Sequence, residues 1–138
     1  YDPVNWQVIP LLREPALNAD KGHARKQLGL DEEDFVVCSF GFLDPSKLNH
    51  QILDAWFGSA LADDKRCKLV FVGENHGGAY GEQLLDAIRR SGRSSSVKIT
   101  GYASRDTFHQ YLQAADMAVQ LRTSSRGETS GAVLDCMN

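Results

Sequence analysis

The sequence predicts an α/β fold, a Rossmann-like three-layer sandwich built around a parallel sheet. Three observations carry that expectation. Short apolar runs alternate with segments of helical period, three of the runs close on a glycine, and 138 residues with 42% apolar content suffice for one domain with a sizeable core. Alternation of this kind places strands side by side in parallel, joined by right-handed helical crossovers.

The elements follow in order. Val8-Ile9-Pro10-Leu11-Leu12 carries a proline that confines it to an edge strand or a linker, so residues 1–20 are set apart from a domain at 21–138. A first helix is expected over Lys21–Leu28, stopping at Gly29. Phe35–Phe40, closing on Gly41, is short, apolar and β-branched, which favours a buried strand. After Pro45-Ser46, Leu48, Ile52, Leu53 and Trp56 share one helical face. Cys67–Val72, closing on Gly73, is a second buried strand. Leu84, Leu85 and Ile88 mark the apolar face of a helix over Gly81–Arg90 that ends near Gly92. Val97–Thr100, closing on Gly101, is the third strand. Phe108, Tyr111, Leu112 and Ala115 mark the next helix, with Ser104 or Asp106 as N-cap. Met117–Leu121 is the fourth strand, and a last helix begins at Gly131, expected to dock Val133 and Leu134 on the sheet.

Composition excludes several classes. Fifteen Lys and Arg against 18 Asp and Glu leave a net charge of −3, without the basic excess that nucleic-acid binding draws on. No apolar run reaches the roughly 18 residues of a membrane span, and Tyr1-Asp2-Pro3 opens no secretory signal. Cys38, Cys67 and Cys136 are too scattered for a disulfide framework or a zinc pair, and read as small hydrophobes in a reducing compartment. His23, His50, His76 and His109 lack metal-ligand spacing and promote no different chemistry. Ser124, Ser125 and Ser130 have no nucleophile-elbow pattern, and Trp6 and Trp56 read as packing residues. The missing initial Met and the unfinished last helix read as a piece of a longer protein.

In a parallel sheet, ligands bind beyond the carboxyl ends of the strands, near free helix N-terminal amides. The glycines and polar residues gather at those ends: Gly41 to Lys47, Gly73 to Gly78, Gly101-Tyr102 and Arg122 to Gly131. A phosphate-bearing ligand is therefore expected. Gly41-Phe42-Leu43-Asp44-Pro45-Ser46-Lys47 carries neither a dinucleotide fingerprint nor a Walker lysine. It does place Lys47 in the first turn of a helix, where a cation opposes the helix dipole unless an anion lies between. Lys47 is thus either a diphosphate ligand or a solvated surface lysine. Glu128 similarly serves a ligand or complements the last helix as a first-turn acid, whereas Asp135 on an otherwise apolar face suits a hydroxyl pair.

The order Gly-x-Leu-x-Pro-x-Lys, Leu-Val-Phe-Val-Gly, Ile-Thr-Gly-Tyr and Ala-Ala-Asp-Met-Ala-Val, then a Glu-containing loop and Leu-Asp-Cys-Met, resembles the C-terminal half of a GT-B glycosyltransferase of family 4. The resemblance spans about Ala24 to Asn138. It implies a donor-binding domain of a retaining enzyme of the polysaccharide-building kind, moving a hexose from a nucleotide-diphospho-sugar. The acceptor would sit on a separate N-terminal domain, so this piece would bind and not transfer. No cofactor or metal is implied, nor nucleic acid, and the setting would be cytoplasmic, with any membrane attachment elsewhere. Position by position, Lys47 matches the diphosphate lysine, Asp135 the ribose acid and Glu128 the acid at the donor sugar, with a catalytic role. Gly101, Tyr102 and Ala103 lie where backbone meets the base, and Gly41, Gly73, Ser130 and Gly131 complete the donor-binding set.

The departures are specific. Phe42 stands where the family has an arginine on the diphosphate, and Arg122 or Arg126 is the available replacement. Glu128 and Asp135 are one residue closer than the family's acid pair, which places either Gly127 or Glu128 at the first acid position. The second register also aligns Gly131 with a family glycine and is preferred. The alternatives are a non-enzymatic nucleotide-binding Rossmann module, or a GT-B nucleotide-sugar epimerase, whose acid–base residues the sequence does not show.

Overall fold

The computed structural model describes residues 20–124 and 130–137. Helix α1 (Lys21–Leu28) starts on the Asp20 carboxylate, which accepts from the His23 amide, and ends at Gly29. It is followed by β1 (Phe35–Phe40), a 3-10 turn (Pro45–Lys47), α2 (Asn49–Phe57), β2 (Cys67–Val72) and α3 (Ala79–Arg90). Then come β3 (Val97–Ile99), α4 (Arg105–Ala114), β4 (Met117–Ala118) and α5 (Gly131–Cys136). Among the described residues the sheet has four strands, all parallel, in the order β3-β2-β1-β4. The α/β sandwich is the fold the alternation predicts.

Side-chain alternation along β1 and β2 divides the core between two faces. Val37, Leu69 and Phe71 meet Ile52, Leu53 and Trp56 of α2 and Leu84 and Ile88 of α3. Val36, Cys38, Phe40, Val70 and Val72 meet Tyr111 of α4, with Leu28 of α1 and Ala132 and Cys136 of α5 against them. Each fully buried large side chain contributes about 1.5–3 kcal/mol, which makes the two central strands the stable centre. Trp56 packs there, its indole N–H donating to Ser96 Oγ at 3.0 Å.

The structure corrects several local expectations. The helix expected after Pro45-Ser46 breaks in two. Asp44 accepts from the Ser46 amide and closes a tight turn through Pro45–Lys47, and Leu48 then adopts φ 54° before α2 begins. Lys47 therefore lies in the turn preceding α2, not in its first turn, and Asn49 rather than Leu48 is buried. Leu85 is 44% exposed, because Leu84 and Ile88, four residues apart, already fill the inner face of α3. Strand β4 is two residues long instead of five, although the Val119 amide still donates to the Cys38 carbonyl at 2.8 Å. Neither it nor β3 is a buried strand: among the described residues both lie at the ends of the sheet, and Met117 is 51% exposed. Helix α5 docks Ala132 and Cys136, not Val133 and Leu134, since those two lie one turn apart and face the second cluster. Cys136 is only partly buried, unlike Cys38 and Cys67.

Candidate functional site

The chain path creates one place where loops diverge. Helices α2 and α3 cover one face, whereas α4 and α5 pack on the other. The strand order therefore reverses at the border of β1 and β4, where open α/β sheets form their binding crevice.

The loop after β1 is built to stay open at that border. The Gly41 amide donates to Val72 and the Leu43 amide to Glu74, both at 2.9 Å, so the exits of β1 and β2 run together beyond the strands. Fully buried Leu43 anchors the loop. A Cβ on Gly73 would lie 2.2 Å from the Gly41 carbonyl oxygen, so only glycine admits that approach. Thr100 ties in β3: its hydroxyl accepts from the Gly73 amide at 3.0 Å and donates to the Gly101 carbonyl at 2.8 Å.

Lys47 folds back over this junction. Its Nζ lies 2.6 Å from where a Cβ of Gly41 would stand, and Gly41 itself has φ 97°. The Asp44 amide donates to Asn49 Oδ1, and the Asp44 carboxylate accepts from both the amide and the hydroxyl of Ser46, which sets the turn that aims the lysine. Those hydrogen bonds hold the Asp44 carboxyl below its ordinary value. The ammonium of Lys47 titrates below the ordinary lysine value, because burial and then the Arg122 charge disfavour its protonated form. Across the border the Thr123 amide donates to the Ser46 carbonyl at 2.9 Å, joining the loop after β4 to the Lys47 turn.

Beside the glycine junction lies a cavity of about 220 Å³, lined by Gly41, Phe42, Val72, Gly73, Glu74, Tyr102, Ala103 and Phe108. Phe42 is 46% and Tyr102 84% exposed, so two aromatic faces stand open at its mouth. Of the residues chosen from the sequence, Gly41, Gly73 and Tyr102 line the cavity, and Lys47 stands over Gly41. Gly101 joins it through Thr100. Ser130 caps α5, accepting from the Val133 amide at 3.4 Å, and Gly131 opens that helix. Asp135 lies on α5 and not in the cavity lining. Glu128, Arg126 and Gly127 fall outside the described residues.

Sequence reasoning passed over Glu74 and the second role of Phe108. Position was the available signal for Glu74, which directly follows a strand-closing glycine; Phe108 was absorbed by its core spacing. His76 holds its own loop, its Nδ1 accepting from the Gly78 amide at 3.1 Å. The Cys38 thiol is pushed up to about 12, by burial first and then by Cys136 and Asp116, so it is no nucleophile at neutral pH. Among the described residues no group of His, Cys, Asp and Glu could hold a metal ion, and no helix is long and apolar enough to cross a membrane.

A family model described as "Glycosyl transferases group 1" matches residues 20–134. No curated protein matches the chain. Among solved structures, HepE of Anabaena in complex with UDP superposes with a TM-score of 0.71 at 25% identity, covering 88% of this chain and 32% of HepE. HepE with UDP-glucose gives 0.69 at 25% identity over the same shares. The C-terminal domain of the group 1 protein LpcC from Francisella tularensis gives 0.69 at 14% identity, covering 86% of this chain and 60% of that one, a likeness of fold. The chain spans about a third of the length of the HepE chains it matches.

Proposed function

Because the chain belongs to the glycosyl transferases group 1 family, we propose that it is the C-terminal, donor-binding half of a GT-B enzyme of family 4. On this reading it presents a nucleotide-diphospho-hexose for retaining transfer to an acceptor held by a separate N-terminal domain. The observation that carries the reading is Lys47, folded over the glycine junction beside an open cavity at the reversal of strand order. HepE, which binds UDP and UDP-glucose, supports the choice of ligand class.

The division of labour follows from the chemistry. A diphosphate needs positive charge, which Lys47 offers where it folds over the Gly41–Gly73 junction. The cavity between Gly73 and Tyr102 is the place for the nucleoside, with Gly101, Tyr102 and Ala103 along the base. By family position, Asp135 takes the ribose hydroxyls, Glu128 contacts the hexose, and Ser130 and Gly131 complete the donor loop. Binding without transfer is the behaviour expected of this chain by itself.

Calorimetry with UDP and uridine tests the assignment. Lys47→Ala is expected to weaken UDP by about 1–3 kcal/mol, roughly 5- to 150-fold, with uridine unaffected. Equal loss for both ligands would make Lys47 structural and remove the diphosphate from this crevice. Glu128→Gln is expected to spare UDP and weaken UDP-glucose, while Asp135→Asn weakens both. Identical ligand profiles for the two variants would refute the separate sugar and ribose roles.

A further inference from the structure

Resting on the donor-site reading above, we propose that Glu74 selects the base of the donor, and that the base it selects is guanine. Of the residues lining the cavity, Glu74 alone carries a charge. The rest of the lining offers carbon surface, glycine backbone and the Tyr102 hydroxyl. Phe108 meets Phe40 edge to face, with ring centroids 5.0 Å apart, which fixes one wall. The open rings of Phe42 and Tyr102 stand at the mouth. Such a lining suits the flat face of any base and does not tell one from another. Discrimination falls to the polar edge of the base, and there the cavity brings one carboxylate.

Glu74 is held in place by its main chain. Its carbonyl accepts from the Leu43 amide at 2.9 Å, and the Gly73 amide before it donates to the Thr100 hydroxyl at 3.0 Å. Its side chain is exposed, and among the described residues no hydrogen bond or ion pair engages the carboxylate. An unpaired acid at a site for a diphosphate repels its ligand, unless another part of that ligand donates hydrogen to it. A carboxylate accepts and cannot donate. On its Watson–Crick edge, guanine alone of the common bases presents two adjacent donors, N1–H and the 2-amino group. Those two match the two carboxylate oxygens. Uracil and thymine present one N–H between two carbonyl oxygens, and adenine and cytosine one amino group beside a ring acceptor. Each of these sets a lone pair against the carboxylate.

The test is calorimetry on the 138-residue chain with GDP, IDP, UDP and ADP, where IDP is GDP without the 2-amino group. GDP is expected to bind about tenfold or more tighter than each of the others. Glu74→Gln keeps the shape and turns one acceptor into a donor, which suits N1–H and O6, the edge that GDP and IDP share. In that variant GDP and IDP are expected to bind within about twofold of each other, a convergence that a merely structural glutamate would not produce. Equal binding of GDP and IDP by the parent chain would overturn the inference, and so would UDP or ADP binding tightest. A uniform loss for all four ligands in Glu74→Gln would also overturn it, by moving Glu74 from the base to the part they share. In each of those cases the donor site stands, because nucleotides still bind. If the parent chain bound none of the four, the donor-site reading would fall and take the inference with it.

Discussion

Gly73 shows how little room a single residue leaves at the site. An alanine methyl there would meet the Gly41 carbonyl at 2.2 Å, and that oxygen belongs to backbone that cannot step aside. Gly73→Ala is therefore expected to cost about 1–3 kcal/mol and to distort the crevice. Gly77, a few residues on, has nothing within 4 Å of the same position, so Gly77→Ala is expected to stay within about 0.5 kcal/mol of the parent. Thermal unfolding of the two variants decides: similar melting temperatures would mean that the β2 exit yields. The placement of such glycines was legible in the sequence, because each follows an apolar run. The position of Lys47 was not, because it depends on Asp44 and Asn49 closing a tight turn that Leu48 ends in a left-handed conformation. No helical period records such an interruption.

Among the elements, α1 shows how a short helix is held in place. Eight residues are too few for an isolated helix, so its hold on the sheet comes from elsewhere. Buried Arg25 donates to an Asp116 carboxylate oxygen at 2.6 Å and to the carbonyls of Ala114 and Glu32, and Lys21 adds a second ion pair to Asp116. The other side of the lock is the Val36 amide of β1, donating to Asp116 at 2.7 Å. Burial alone would raise the Asp116 carboxyl, but bonds from Lys21 and Val36 and the charge of Arg25 outweigh it and hold it below the ordinary aspartate value. Its contribution is complete above about pH 3.9, the unfolded value, and disappears as pH falls through the lower folded value. Asp116→Asn is expected to lower stability by about 3 kcal/mol near neutrality and to flatten the acid limb of the stability curve below pH 4, read by denaturant unfolding across pH. An unflattened acid limb would assign that limb to other carboxylates. At the N-terminus of α4, Ser104 accepts from the Thr107 amide at 3.2 Å, and Ser104→Ala is expected to cost about 1 kcal/mol by the same measurement. The cap was readable from spacing, whereas the Asp116 lock joins residues up to 95 positions apart, which no local pattern reveals.

Across the whole molecule, the thiols report on which parts open. Cys38 and Cys67 are buried, one on each face of the sheet, while Cys136 is partly accessible on α5. With a thiol-reactive dye under native conditions, Cys136 is expected to label first, and Cys38 and Cys67 only at the rate of global unfolding. Early labelling of Cys67 would show the face under α2 and α3 opening by itself. Sequence alternation foretold the layers and the parallel sheet, yet not that β4 would be two residues long, because pairing length is decided by neighbours and not by local composition. That short pairing has a kinetic consequence. Strand β1 pairs over six residues with β2, its next strand in the chain, but joins β4 through contacts made between residues 80 positions apart. Closing the longer loop for the smaller return makes β4 the late arrival in folding. In a refolding time course, protection of the β1 and β2 amides should therefore precede protection of the Val119 amide, since one wall of the crevice is the last segment to be set in place.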